Sequence, residues 1–348
     1  MKYLALIPLL LAAAPALPTV PSPGEIVAAA PDADWTAISP DDLLAMDLAP
    51  DAKGKPRRVV IQLMPPPFSQ GWIGNIRKLA AAHWWDGTSV NRVQDNYVVQ
   101  WGDVTEKKAL PPGLVRVPES QYIADIREEP IDDPIVHGHT VKPWATNVTG
   151  EGKLQGPLAG QFALWRKKGQ KSYPLIQYRS ETYGWPTGFS GGWPVSGDLN
   201  ARGFGKTGEI WPTHCYAMVG VGRSLSPDTG SGAELYTVIG HAPRHLDRNI
   251  ALVGRVIEGI EHLSSLPRGT EALGFYKTAE ERVPILSTRL ATDLPTDKPL
   301  PRYQYLSTES ASFAKYADAR ANRRDPFFIK PAGGADICNI PVPVRRVP

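Results

Sequence analysis

A chain of 348 residues with 42% hydrophobic side chains can fold as one elaborated domain or two modest ones around an ordinary apolar core. Its 38 basic residues against 35 acidic ones leave a formal charge of only +3, with no clustered Lys/Arg stripe, which argues against a nucleic-acid partner. The 35 prolines and 32 glycines favour a turn-rich fold over a helical bundle.

Met1-Lys2, the apolar run Leu4 to Ala14 and the small residues Ala14-Pro15-Ala16 have the layout of a secretory signal peptide over residues 1–16. The run is too short to span a bilayer permanently, and no later stretch approaches membrane length. The mature protein is therefore expected in an exported, oxidising space, periplasmic or secreted, without a stable membrane span. Residues 17–33 read as a Pro/Ala linker.

Leu43 to Leu48 and Arg58 to Met64 are short extended runs around a turn, and Val59, Ile61 and Leu63 alternate as one face of a strand. From Gln70 to His83 the period changes: Ile73, Ile76, Ala80 and His83 form one apolar helix face. Asp86-Gly87 turns the chain into a second extended stretch, Val90 to Gln100. Between about 104 and 213 Gly, Pro and Trp break the pattern, and Trp144, Trp165, Trp185, Trp193 and Trp211 make up half of the ten tryptophans. These form either a small core packed on the main domain or an aromatic platform for peptides or sugars. Regular structure resumes at Cys215 to Val221, Leu235 to Ile239 and Ala251 to Val253. A helix from Glu258 to Leu266, a strand from Arg282 to Leu290 and a helix from Ser307 to Arg324 follow. Many short strands with two helices near the domain ends predict a mainly β fold, a closed antiparallel barrel. Its domain is placed at 34–295, followed by a C-terminal extension over 296–348 in which Arg345-Arg346 reads as a solvated tail.

The stretch Trp84 to Asp103 (WWDGTSVNRVQDNYVVQWGD) is the most informative. Arg92 and Gln100 are eight residues apart, but Gln94-Asp95-Asn96 reads as a turn. The pair therefore converges across two adjacent strands, not along one. The segment resembles the cyclophilin signature, in which an aromatic-His-Arg-Val run is followed by a turn, an aromatic residue and Gln-Gly-Gly-Asp. Upstream, VVIQLMPPPFSQGWIGNIRKLA is similar to the family's strand, Pro-containing loop and first helix. Downstream, CYAMVGVGRS, GAELYTVIGHAPRHLD and NIALVGRVIEGIEHL resemble its later strands and a helix, in family order.

The resemblance implies an eight-stranded barrel capped by two helices, enlarged by the insertion and the extension, and it implies roles residue by residue. Arg92 matches the catalytic arginine. Tyr97, Val98, Tyr236 and Leu246 match the walls of a proline pocket, Gln100 the substrate-binding glutamine, and Met218 a methionine beneath the groove. The chain departs from the family at Val90 and Asn91, where Phe and His are usual, and at four groove positions. Gly220 replaces an Asn whose backbone holds substrate, Glu234 a Gln, His245 a rim Trp and Ile250 a pocket His.

The chemistry these residues suit is rotation about an X-Pro amide. That bond interconverts over tens to hundreds of seconds because twisting breaks its resonance. Once twisted, the prolyl nitrogen regains a lone pair that a fixed guanidinium can bond. The donor accelerates rotation only by binding the twisted state better than the planar one. No metal or cofactor is required, and the implied partner is a proline-containing polypeptide segment. A binding or chaperone module without catalysis, and an envelope scaffold using the Trp-rich insertion, are the other readings.

Other motifs carry less. Gly205-Lys206-Thr207 lacks the earlier glycine of a phosphate loop, and His137 and His139 are too few ligands for a metal. Asn147-Val148-Thr149 matches a glycosylation sequon. The two cysteines, Cys215 and Cys338, are either a single disulfide tying the C-terminus to the core or two buried thiols.

Overall fold

Short extended runs rich in β-branched and aromatic residues form seventeen strands among the described residues. The computed structural model describes residues 20–127, 163–165, 173–175, 187–198 and 207–347. In chain order, helix α1 (Pro23–Ala28) precedes β1 (Trp35–Ala37), β2 (Leu43–Leu48), β3 (Arg57–Leu63), helix α2 (Gln70–Ala81), β4 (Ser89–Val93) and β5 (Val98–Gly102). The insertion contributes β6 (Ala124–Arg127), β7 (Ala163–Trp165), β8 (Tyr173–Leu175), β9 (Thr187–Ser190), β10 (Trp193–Asp198) and β11 (Thr207–Pro212). Then come β12 (Met218–Val221), β13 (Leu235–Val238), β14 (Leu252–Glu258), the single turn α3 (Glu261–Ser264), β15 (Val283–Leu290), β16 (Tyr303–Leu306), α4 (Ala311–Ala321) and β17 (Val344–Arg346).

The expected barrel is present and closed, with strands in the order β12-β13-β5-β4-β15-β2-β3-β14 and antiparallel pairing throughout. Met46, Val59, Ile61, Val99, Trp101, Val219 and Leu235 fill its interior. Full burial of side chains of this kind stabilises by roughly 1.5–3 kcal/mol each. Helix α2 seats Trp72, Ile73, Ile76, Leu79 and Ala80 on this core, and the Trp72 indole N–H donates to the carbonyls of Thr229 (3.1 Å) and Gly230 (3.0 Å). His83, read as part of that helix face, lies past the helix end at φ 54° and is exposed. The left-handed residue ends the helical period before its ring can reach the core.

The helix expected over 258–266 is mostly absent. Residues 252–258 continue as β14, hydrogen-bonded on one side to β12 and on the other to β3, and only Glu261–Ser264 turns helical. The GRVIE stretch likened to a family helix is therefore strand, because two sheet ladders outweigh a local 3.6-residue pattern.

In the insertion, β6-β11-β10-β9 form a four-stranded sheet. Phe189, Trp193, Val195 and Ile210 join the main core and Trp211 is fully buried, so these two tryptophans are core and not platform. Arg255 of β14 ties this sheet to the barrel. Its guanidinium lies 4.5 Å from the Trp193 ring centroid and donates to Gly192 O (2.8 Å) and Gln62 Oε1 (2.9 Å). Burial pushes its pKa down to about 10, which leaves it charged at neutral pH. The signal-peptide residues 1–16, Trp144, Trp185, His137, His139 and Asn147 lie outside the described residues, and of Trp165 only the backbone is described.

Residues 20–33, read as linker, carry α1, capped by a Ser22–Glu25 box and packed on α4. The C-terminal extension is likewise integrated: β16 lies between β1 and β17. Arg345 pairs with Asp32 (2.6 Å) and stacks on Trp35, and Arg346 pairs with Glu258. The expected solvated tail is thus a strand held by its own arginines. Cys215 and Cys338 form a disulfide with Cα atoms 5.0 Å apart. No helix among the described residues is long and apolar enough to cross a membrane.

Candidate functional site

Val99 and Trp101 point into the barrel core, so the two-residue period turns Val98 and Gln100 outward. Strand register then lays one row of residues across four strands: Gly220 opposite Tyr236, Tyr236 opposite Gln100, and Gln100 opposite Arg92. Val98 and Val238 form the neighbouring pair.

Arg92 stands at one end of the row. Its Nη1 donates to Gln100 Oε1 (3.1 Å), its Nε to Leu273 O (2.7 Å), and its Nη2 to Gln94 Oε1. The guanidinium carbon lies 5.8 Å from the Tyr97 ring centroid and 5.4 Å from that of Phe275. Among the described residues no carboxylate pairs with it. Burial lowers its pKa, yet a guanidinium stays protonated, so the site holds a fixed positive charge with two N–H groups to spare.

Beside Arg92, Val98, Tyr236 and Val238 form a small apolar cluster separate from the barrel interior, with Tyr97, Leu246 and Ile250 packed against it. The turn carrying Tyr97 and the segment carrying His245 and Leu246 meet because Gly240 has no side chain: a Cβ there would overlap the Asn96 backbone. Exposed His245 stacks on Tyr97, with ring centroids 6.2 Å apart and planes 12° from parallel. Met218 points into the barrel core beneath. The structure thus brings together Arg92, Tyr97, Val98, Gln100, Gly220, Tyr236, His245, Leu246 and Ile250.

Glu234 sits at the other side of Gln100, its carboxyl against Gly102, where any Cβ would overlap it. Burial pushes its pKa up to about 7, although the Asp103 amide, Gln100 and Asn91 all favour its charged form. Glu234 Oε2 and Asn91 Oδ1 are buried without a hydrogen-bond partner. The Asn91 and Glu234 departures are therefore neighbours, packed together behind the row.

Two groups are not among the residues singled out in the sequence. Phe275 and Leu273 reach Arg92 from about 180 residues downstream through an isolated bridge between Arg92 and Phe275. His214 and Asp247 lie under the pocket. His214 Nδ1 is 2.8 Å from Asp247 Oδ1, and its Nε2 is 2.8 Å from the Tyr236 hydroxyl. Asp247 directly follows Leu246 in a quoted motif, which is the only hint the sequence offered.

The family model for cyclophilin type peptidyl-prolyl cis-trans isomerase matches residues 72–290, more than half of the chain. A search of the curated proteins finds no match. Among solved structures, the cyclophilin AquaCyp293 from Hirschia baltica is 20% identical, with a TM-score of 0.58 over 90% of this chain and 94% of its own. A cyclophilin type isomerase from Cryptosporidium parvum, solved in the presence of the dipeptide Ala-Pro, is 9% identical, with a TM-score of 0.34 over 71% of this chain and 98% of its own. The extent of the family match and the closed eight-stranded barrel agree: the chain belongs to the cyclophilin-type peptidyl-prolyl cis-trans isomerase family.

Proposed function

We propose that the protein is a peptidyl-prolyl cis/trans isomerase acting on X-Pro bonds of exported polypeptides. The observation that carries this reading is the fixed Arg92–Gln100 pair beside the apolar cluster of Tyr97, Val98, Tyr236, Leu246 and Ile250. The cluster takes the proline ring and keeps water from the amide. Arg92 directs an N–H at the prolyl nitrogen as it becomes pyramidal, and Gln100 holds the neighbouring carbonyl. Export is supported by the composition of residues 1–16 and by a disulfide, which persists in oxidising compartments. The test is a protease-coupled isomerisation assay on the mature chain, with Arg92→Ala alongside. Acceleration that vanishes in a folded Arg92→Ala variant supports the reading; no acceleration across several residues before proline sinks it.

A second reading, a proline-peptide binding module without catalysis, is favoured by one observation. Three of the five Arg92 donors already bond protein acceptors, so the guanidinium is restrained from following the twisting amide. Peptide binding without rate acceleration distinguishes it.

A further inference from the structure

Behind the apolar cluster runs a chain of polar groups that the isomerase chemistry does not use. It begins in the insertion, where Arg244 Nη2 donates to buried Ser196 Oγ (2.6 Å), and continues from Arg244 Nε to Asp247 Oδ2 (2.6 Å). Asp247 Oδ1 accepts from the His214 backbone amide (2.9 Å) and faces its Nδ1, and His214 Nε2 meets the Tyr236 hydroxyl. The His214 side chain is 1% exposed and that of Asp247 8%.

The chemistry of the chain sets its protons. Burial raises the Asp247 pKa, but His214 and Arg244 more than offset this and keep it an anion. For His214, burial outweighs Asp247 and keeps the imidazole neutral. An anionic carboxylate only accepts, so Nδ1 carries the proton, Nε2 is the acceptor and Tyr236 donates. Gly220 completes the arrangement, since a Cβ there would overlap the Tyr236 hydroxyl.

We infer that Asp247 and His214 are positioning residues that tether the two walls of the pocket, Tyr236 on β13 and the Leu246 segment, at a fixed separation for the proline ring. The inference rests on the proline-binding reading above. Its physical basis is the size of the apolar cluster. Three buried and three partly buried side chains on the outside of a barrel pack too little surface to fix a cavity by themselves. A hydroxyl anchored from behind fixes the aromatic ring without occupying the cavity. Its anchor reaches Asp247, which immediately follows Leu246, so one polar chain sets both walls. A phenylalanine at 236 would be held by packing alone.

The experiment uses the full mature chain with three readouts. Imidazole nitrogen NMR is expected to show His214 as the neutral Nδ1–H tautomer at pH 7, and the Asp247→Asn variant to lose that tautomer preference. A tetrapeptide containing Ala-Pro is then titrated, and its exchange rate at saturation is measured by exchange spectroscopy. Tyr236→Phe, which removes one hydroxyl, is expected to bind the peptide about tenfold more weakly, with the rate at saturation within about twofold of the parent. Equal affinity in folded Tyr236→Phe overturns the inference, as does a rate loss at unchanged affinity, or an Nε2–H tautomer in the parent. A parent chain that neither binds nor isomerises the peptide brings down the functional reading itself, a failure distinguishable from the others because the tautomer is read independently.

Discussion

Arg92 and Gln100 face each other across β4 and β5, with Arg92 Nη1 3.1 Å from Gln100 Oε1. That bond orients both partners. With its Oε1 occupied by arginine, Gln100 presents its amide N–H to the Glu234 carboxyl.

Arg92→Ala is therefore expected to lower kcat/KM for an Ala-Pro tetrapeptide on the order of 10²- to 10³-fold, the loss typical of one preorganised donor. Arg92→Lys recovers little, because a point charge cannot keep the contacts to Gln100, Gln94 and Leu273 O together. A lysine variant with parental kinetics, measured by the coupled assay, refutes this role for the guanidinium fork.

Glu234 makes stability depend on pH. Its folded pKa, raised from 4.5 to about 7, means that the folded chain holds this proton more tightly than the unfolded one. The associated stabilisation is complete below about pH 4.5 and is lost as pH rises through about 7. Glu234→Gln is expected to be more stable than the parent by up to about 3 kcal/mol at pH 8, and by close to nothing at pH 4. Urea unfolding at both pH values reads the difference; an equal gain at each would show that the carboxyl is not the titrating cause.

Gly220→Asn restores the residue usual in the family yet is expected to impair the site. The new Cβ overlaps the Tyr236 hydroxyl, so the ring must shift or the strand must give, at a cost of about 1–3 kcal/mol. Peptide affinity measured by titration should fall with it. Unchanged affinity and melting temperature would mean that Tyr236 is free to move.

The Cys215–Cys338 bridge closes a span of 123 residues and anchors the C-terminal extension beside His214. Replacing both cysteines by serine is expected to destabilise the fold by roughly 2–5 kcal/mol. Thermal melting with and without a thiol reductant checks this: the parent should respond to reductant and the double variant should not.

Sequence alone determined much about this protein. The extended runs of β2 and β13, the period-two face of β3, the helical stripe of α2, the turn at 94–96 and the convergence of Arg92 on Gln100 are all set by neighbours in the chain, where residue spacing dictates which face a side chain takes. The tertiary structure decided the rest. It extended residues 254–258 as strand, because barrel closure supplies hydrogen bonds on both sides. It folded residues 20–33 and the C-terminal arginines onto the domain through partners on distant elements. It brought Leu273 and Phe275 to Arg92, and His214 and Asp247 to Tyr236, across separations that no local period encodes. The imidazole of His214, between the Asp247 carboxylate and the Tyr236 hydroxyl, is buried only once the insertion strand β10 and the 244–247 segment fold against the barrel.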